Sequence, residues 1–113
     1  MVVERWEVTV VAGQESAFEA ALCEVRQRVF MSPGFRGFTV AQGLEHPSTY
    51  LVQVRWQTAD ELVEYAGSGR QERAWAPVEP FLAGPPRVDA FDERLSLGFQ
   101  GPGVVTDLTW VTD

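Results

Sequence analysis

The stretch that most constrains the fold is residues 48–61, where a strand pattern changes to a helix start within a few residues. From Tyr50 to Trp56, apolar and aromatic residues alternate with a second set, as on a strand with two different faces. Thr58-Ala-Asp-Glu61 then has the form of a capping box, in which Thr58 and Glu61 bond each other at a helix start. The sequence therefore predicts a strand that runs directly into a helix. Trp56 ends this strand, and we expect it to form a wall of any ligand pocket.

The other segments give a regular succession of strands and helices. Residues 4–11 alternate as a first strand, with Trp6 on the face that is predicted to be buried. A helix from residue 15 has apolar residues at spacings of four and three, and it ends at Ser32-Pro33-Gly34. A second strand covers 35–43, a hairpin loop 44–48, and a fourth strand 87–93. A helical stretch covers 71–81, and its two prolines predict that it is short or irregular.

The order β-α-β-β-α-β is typical of the α+β class with a ferredoxin-like fold, a four-stranded antiparallel sheet with helices on one face. The other face then carries apolar Leu51 and Phe91 among polar residues and needs a cover. We therefore expect a homodimer that packs sheet against sheet. Residues 1–94 are predicted to be the domain, and residues 95–113 a tail that forms an extra edge strand or an arm on the other subunit.

Charge and composition argue against a nucleic-acid partner, a membrane partner and a metal site. The net charge is −7, from 9 basic and 16 acidic residues. A nucleic-acid-binding protein needs a basic stripe, and the sequence has none, so we expect no nucleic-acid partner. No apolar run has the length of a membrane span, and the start lacks the features of a signal peptide, so we expect no membrane partner and a cytoplasmic protein. The single cysteine, Cys23, is predicted to be a buried small apolar residue. With one histidine, the sequence predicts no metal site.

Several short segments, in their order and spacing, resemble the antibiotic biosynthesis monooxygenase family of dimeric α+β barrels across residues 4–93. They are Ser32-Pro33-Gly34-Phe35-Arg36-Gly37, Pro47-Ser-Thr-Tyr50, Trp56-Gln-Thr58, Ser68, Pro80-Phe81-Leu82 and Pro85-Pro86-Arg87-Val88. The resemblance implies the ferredoxin-like fold and a dimer. The tail after Arg94 lies outside it.

The resemblance also implies a chemistry, in which polyketide-pathway members of the family oxidise anthrone-type aromatics with O2. They use no flavin or metal, so we expect no cofactor. Such a site needs aromatic walls and donors that stabilise an oxyanion. Trp56 matches the family's strand-end tryptophan, whose indole N–H can donate to an oxyanion. With it we expect Tyr65, on a helix that covers the sheet, and Arg73, as a source of charge, to be catalytic, and Trp6, Phe38, Trp75 and Phe81 to bind the substrate.

Two departures from the family patterns keep the function open. Val52 stands where the anthrone oxygenases have an asparagine, and it cannot donate. The haem-degrading branch needs an axial histidine, but the only histidine here, His46, lies in the hairpin loop. One hypothesis is a cofactor-independent monooxygenase, or a related tailoring enzyme such as a cyclase, acting on an aromatic polyketide-like substrate. The alternative is a non-catalytic dimer that binds a small apolar ligand or a protein partner, in which the same aromatic residues are core.

Overall fold

The computed structural model describes residues 1–95 and 97 and confirms the ferredoxin-like α+β fold. The four strands form one antiparallel sheet in the order β2-β3-β1-β4, so the first and third strands lie at its centre. The elements are β1 (Val2–Thr9), α1 (Glu15–Phe30), β2 (Phe35–Gln42), β3 (Thr49–Trp56), α2 (Ala59–Gly67), α3 (Arg70–Trp75), a 3-10 helix (Ala76–Phe81) and β4 (Arg87–Asp92).

The core lies between the helices and one face of the sheet. Strict alternation on β1 and β3 sends every second side chain to this face, where Val8, Val52 and Val54 are almost completely buried. The predicted apolar stripe of α1 covers them, from Phe18 to Val29, which confirms the helical period. The two central strands are therefore fully covered, and the site described below lies among their inward-facing residues.

The junction between β3 and α2 fixes the position of Trp56. The Thr58 side chain accepts a hydrogen bond from the Glu61 amide at 3.2 Å and donates one to the Glu61 carboxylate at 3.0 Å, so the predicted cap is present. Gly34, with φ of +86°, lies directly beneath the Glu61 side chain, where no Cβ would fit. Its carbonyl accepts from the Gln57 amide at 2.8 Å, which ties the end of β3 to the turn before β2.

The helical stretch 71–81 is irregular, as its prolines predict: Pro77 and Pro80 lack the amide hydrogens that an α-helix needs, and residues from Ala76 onward form a 3-10 helix. Two other sequence predictions need correction. The first strand stops at Thr9, and Val10 makes only an isolated bridge to Leu82. Cys23 is exposed, because the buried stripe of α1 passes on either side of it. The predicted roles of the tail, an edge strand or a dimer arm, fall outside the described residues apart from 95 and 97.

The opposite face of the sheet carries no helix in the described part of the chain. Leu51 is half-buried on it, and the Arg5 guanidinium lies 5.8 Å from the centre of the exposed Phe91 ring. Arg55 donates to both carboxylate oxygens of Glu93, at 2.8 and 2.9 Å. Among the described helices, none is long and apolar enough to cross a membrane.

Candidate functional site

A buried carboxylate, Glu4, lies at the centre of the candidate site. Glu4 shares the inward face of β1 with Trp6, and only 2% of its surface is exposed. The Trp56 indole donates to Glu4 Oε1 at 3.1 Å, and the Gln71 amide donates to Glu4 Oε2. Trp56 therefore ends β3 as predicted, and its indole nitrogen is fixed by a carboxylate that the sequence interpretation did not include.

The surroundings of Glu4 are unusual for a charged side chain. Burial raises the pKa of the Glu4 carboxyl above 4.5, its ordinary value, while the hydrogen bond from Trp56 and the nearby Trp6 indole act in the opposite direction. All nine basic residues are arginines, all lie within residues 1–95, and none of them forms an ion pair with Glu4. Its negative charge is stabilised by N–H donors alone, and because burial outweighs their effect, Glu4 is a stronger base than an exposed glutamate.

Aromatic rings surround this carboxylate. Trp6 and Trp75 are stacked, with ring centroids 3.9 Å apart and planes 11° from parallel. The Trp56 and Tyr65 rings lie 4.8 Å apart at a tilt of 38°. Burial raises the pKa of the Tyr65 hydroxyl, and the negative charge of Glu4 raises it further, so this phenol stays protonated and available as a donor.

Three donors in this region have no hydrogen-bond partner within the part of the chain that the structure describes. They are Trp6 Nε1, Tyr65 Oη and Trp75 Nε1, each on a side chain that is more than nine-tenths buried. Buried donors without partners are rare in native proteins because each costs about 1–3 kcal/mol. The arrangement therefore suits a bound polar atom. We name the whole set the Glu4 cluster; its members are Glu4, Trp6, Trp56, Tyr65, Gln71 and Trp75.

The Glu4 cluster is closed to solvent, but an apolar groove lies beside it. This groove, of about 440 Å³, runs along β4 and the start of α2 and is lined by Val2, Leu62, Ala90 and Phe91 among others. In the sheet register Val2 is the partner of Trp56, and Ala90 is the partner of Glu4. Two residues of the groove are thus sheet neighbours of Trp56 and Glu4, and a volume of this size suits a small organic ligand.

The predicted site residues fall into two groups. Trp6, Trp56, Tyr65 and Trp75 come together in the Glu4 cluster. Arg73, Phe38 and Phe81 lie elsewhere. The first four residues belong to one network of packed aromatic rings and a hydrogen bond to Glu4.

Arg73, Phe38 and Phe81 each have a different environment. Arg73 is exposed, with its guanidinium beside Gly69 in the turn between α2 and α3. Phe38 is half-buried on β2, two strands from Glu4, and lines a separate groove of about 310 Å³ under α1. Phe81 is half-buried at the end of the 3-10 helix, where its carbonyl accepts from the Val11 amide at 2.9 Å.

Glu4 and Gln71 are the two members of the site that sequence reasoning missed, although a signal was present for Glu4. Glu4 stands two residues before Trp6 in the alternating strand, so the period that turns Trp6 inward also turns Glu4 inward. An inward-facing carboxylate is rare enough to indicate a site. Within residues 1–95 and 97, no group of three or more histidine, cysteine or acidic side chains could hold a metal ion.

Comparison with known proteins gives one family and many similar folds. A sequence model described as antibiotic biosynthesis monooxygenase matches residues 1–76. No curated protein matches the chain significantly. A protein from Bordetella bronchiseptica, provisionally named an antibiotic biosynthesis monooxygenase, is 26% identical with a TM-score of 0.75, and the alignment covers 83% of this chain and 97% of that one.

Two further solved structures show the same fold at lower identity. SnoaB from Streptomyces nogalater, a cofactor-independent oxygenase, is 17% identical with a TM-score of 0.72, covering 85% of this chain and 95% of that one. A protein from Caulobacter crescentus, also provisionally named an antibiotic biosynthesis monooxygenase, is 19% identical with a TM-score of 0.71, covering 83% and 90%.

Proposed function

Because this chain belongs to the antibiotic biosynthesis monooxygenase family, we propose that it is a cofactor-independent oxygenase of an aromatic, polyketide-like substrate. The observation that carries this proposal is the Glu4 cluster. A buried carboxylate stands beside three buried donors that lack partners, and aromatic rings enclose them. Such an arrangement stabilises a negative charge that develops on a flat ring and excludes water from it.

The substrate docks in the apolar groove along β4. Its flat ring lies against Val2 and Leu62, and its polar edge points to the Glu4 cluster. The cluster is buried apart from half-buried Gln71, so the polar edge of the substrate reaches Glu4 only after side chains of the cluster rearrange.

The reaction follows from the acidity of an anthrone. Loss of a proton from the ring carbon leaves an anion whose charge lies largely on an oxygen, where the Tyr65 hydroxyl and the indole N–H groups stabilise it. The anion reduces O2 directly; one oxygen atom becomes the new carbonyl of the quinone and the other leaves as water. Val52 cannot replace the asparagine of the anthrone oxygenases, and in this proposal the donors of the Glu4 cluster take over its role.

A homodimer completes the proposed assembly, and the open face of the sheet is its interface. Leu51 and Phe91 present apolar surface there, and Arg55 Nε on the same face is buried without a partner among the described residues. A second copy packed sheet to sheet covers this surface and offers acceptors to Arg55. A cytoplasmic location stays a prediction from the sequence.

The close packing of the site favours a second candidate function, a non-catalytic dimer that binds a small apolar ligand. Trp56, Tyr65 and Trp75 are at most 4% exposed, as core residues are. In that case the groove along β4 is the whole binding site and the Glu4 cluster stays closed when the ligand binds.

Oxygen uptake with a dihydroxyanthrone tests the proposal. The wild-type protein is expected to consume O2 faster than an equal mass of albumin, and Tyr65→Phe to lower the rate about 100-fold by removing one oxyanion donor. Tyr50→Phe is the matched control, because Tyr50 is the other tyrosine of the chain and bonds Gln42 and Glu19 outside the Glu4 cluster. Uptake at the albumin rate, or equal rates in wild type and Tyr65→Phe, would contradict it.

A further inference from the structure

We propose that Glu4 is the proton acceptor of this site, and that the ligand it accepts presents an acidic hydroxyl group, phenolic or enolic. This inference rests on the ligand site of the proposed function, but it does not depend on the chemistry of O2. It assigns a role to a residue that the sequence interpretation did not include and limits the class of ligand by the donors and acceptors that the site contains.

The hydrogen-bonding groups of the Glu4 cluster match a hydroxyl better than other polar groups. Glu4 accepts from Trp56 and Gln71 and has further lone pairs, while Tyr65 Oη and two indole nitrogens have hydrogens to donate. A hydroxyl donates to the carboxylate and accepts from the free donors at the same time. A ketone only accepts and leaves Glu4 without a further donor, and an ammonium only donates and leaves the three donors unpaired.

The charge of the site also selects against acids. No arginine forms an ion pair with Glu4, so a ligand carboxylate would place a second negative charge beside an uncompensated one. A hydroxyl arrives neutral. Its O–H bond breaks, the proton moves to a Glu4 oxygen, and the electron pair stays on the ligand oxygen as an oxyanion.

This transfer leaves the total charge of the site unchanged. Before it, the single negative charge is on Glu4; after it, the charge is on the ligand oxygen, next to the Tyr65 hydroxyl and the indole N–H groups. The site therefore needs no new counter-ion. Burial helps as well, because it raises the pKa of Glu4 toward that of acidic phenols and lowers the free-energy cost of the transfer.

Few other titratable groups face Glu4, so its protonation can be measured with little interference from them. Tyr65 faces it from α2, and Arg70, at the start of α3, acts on Tyr65 by favouring its ionised form. The side chains of Trp56 from β3 and Gln71 from α3 are neutral, and its register partner on β4 is Ala90. Since tyrosine and arginine titrate far above pH 8, the only groups among the described residues of the occupied site and its ligand that exchange protons between about pH 5 and 8 are Glu4 and the ligand hydroxyl.

The test uses a β-hydroxyanthraquinone, whose neutral and ionised forms absorb at different wavelengths, together with its methyl ether. We expect wild-type protein to bind the hydroxy compound with quenching of tryptophan fluorescence, and the bound compound to ionise at least about one pH unit below the free compound, a tenfold change in its ionisation constant. The methyl ether, which has no proton to give, is expected to bind at least tenfold more weakly.

Three variants distinguish the contribution of Glu4 from that of the residues around it. At a pH where Glu4 is ionised before binding, wild type and Glu7→Gln, on the same strand but exposed, are expected to release no proton to the buffer when the compound ionises on binding, because Glu4 takes the proton, whereas Glu4→Gln is expected to release one proton for each molecule of compound that ionises. Tyr65→Phe keeps the acceptor but removes a donor, and ionisation of the bound compound is expected to need a higher pH than in wild type. This second variant keeps the test decisive if Glu4→Gln folds poorly.

Three results would overturn the inference. They are equal proton release to the buffer by wild type and Glu4→Gln when the compound ionises on binding, an unchanged ionisation shift in Tyr65→Phe, and equal affinity for the hydroxy compound and its methyl ether. Failure of the oxygenase proposal gives a different pattern. In that case the bound compound still ionises through Glu4, but a dihydroxyanthrone is oxidised no faster than with albumin.

Discussion

The hydrogen bond from Trp56 to Glu4 can be measured by a double-mutant cycle. The perturbations are Trp56→Phe, which removes the indole N–H, and Glu4→Gln, which removes the charge that the N–H stabilises. Both side chains are at most 2% exposed and their atoms are 3.1 Å apart, so water cannot replace the lost donor. The cycle therefore reports how strongly the central carboxylate depends on the tryptophan at the end of β3.

The expected magnitudes follow from this burial. A hydrogen bond to a charged group contributes about 2 kcal/mol and one to a neutral group about 1 kcal/mol. The smaller ring of phenylalanine adds about 1 kcal/mol of lost packing. Trp56→Phe should then lower the free energy of unfolding by about 3 kcal/mol in wild type, which is about 12 °C in Tm for a domain of this size. In the Glu4→Gln background it should cost about 2 kcal/mol, which gives a coupling free energy of about 1 kcal/mol.

Urea unfolding, followed by circular dichroism at one fixed protomer concentration, provides these free energies. Trp75→Phe is the matched control, because this buried indole makes no hydrogen bond to Glu4 within the described residues and should combine additively with Glu4→Gln. A coupling free energy below about 0.4 kcal/mol for Trp56 and Glu4, the usual limit of additivity, would refute the reasoning.

Four further predictions concern pH, the helix cap, the interface and the cysteine. Burial raises the pKa of Glu4 in the folded state, so wild type loses stability as pH rises above 4.5 and through that pKa; Glu4→Gln should gain in Tm over wild type as pH rises above 4.5, and a constant difference would contradict this. Thr58→Ala removes the N-cap of α2 and should lower the free energy of unfolding in urea by about 1 kcal/mol, whereas an unchanged free energy would show that the cap does not stabilise α2. Leu51→Arg should shift the protein from dimer to monomer in sedimentation velocity, and a wild-type profile would place the interface elsewhere. Cys23 should react with a thiol reagent in the native protein at the rate seen in urea, and protection would contradict its exposure.

The fold could be predicted from the sequence because its local signals agree with one another. The alternation from Tyr50 to Trp56 and the cap at Thr58 each correspond to a bond or a burial pattern in the structure. The topology followed from the order of the elements alone. The prolines at 77 and 80 predicted an irregular helical stretch, and in the structure they shorten the α-helix but still allow a 3-10 helix.

The site could be predicted only in part, because the sequence pattern gives the face of a residue and not its neighbours. The pattern placed Trp6 and Trp56 inside, and both lie in the Glu4 cluster. Glu4 was missed since carboxylates are usually exposed, although its position in the strand turns it inward. Arg73 was a candidate for its charge, but its direction depends on the turn at Gly69, which no periodicity encodes.

The mass of the product formed under heavy-isotope O2 tests the central claim most directly. Metal-free protein, prepared with a chelator, is mixed with a dihydroxyanthrone, and the quinone is analysed by mass spectrometry. The account predicts one labelled oxygen atom per quinone, formed faster than with albumin, and loss of this excess in Tyr65→Phe and Glu4→Gln but not in Glu7→Gln. Quinone formed at the albumin rate by the wild type, or at the wild-type rate by both site variants, would contradict the assignment of an oxygenase site to the Glu4 cluster.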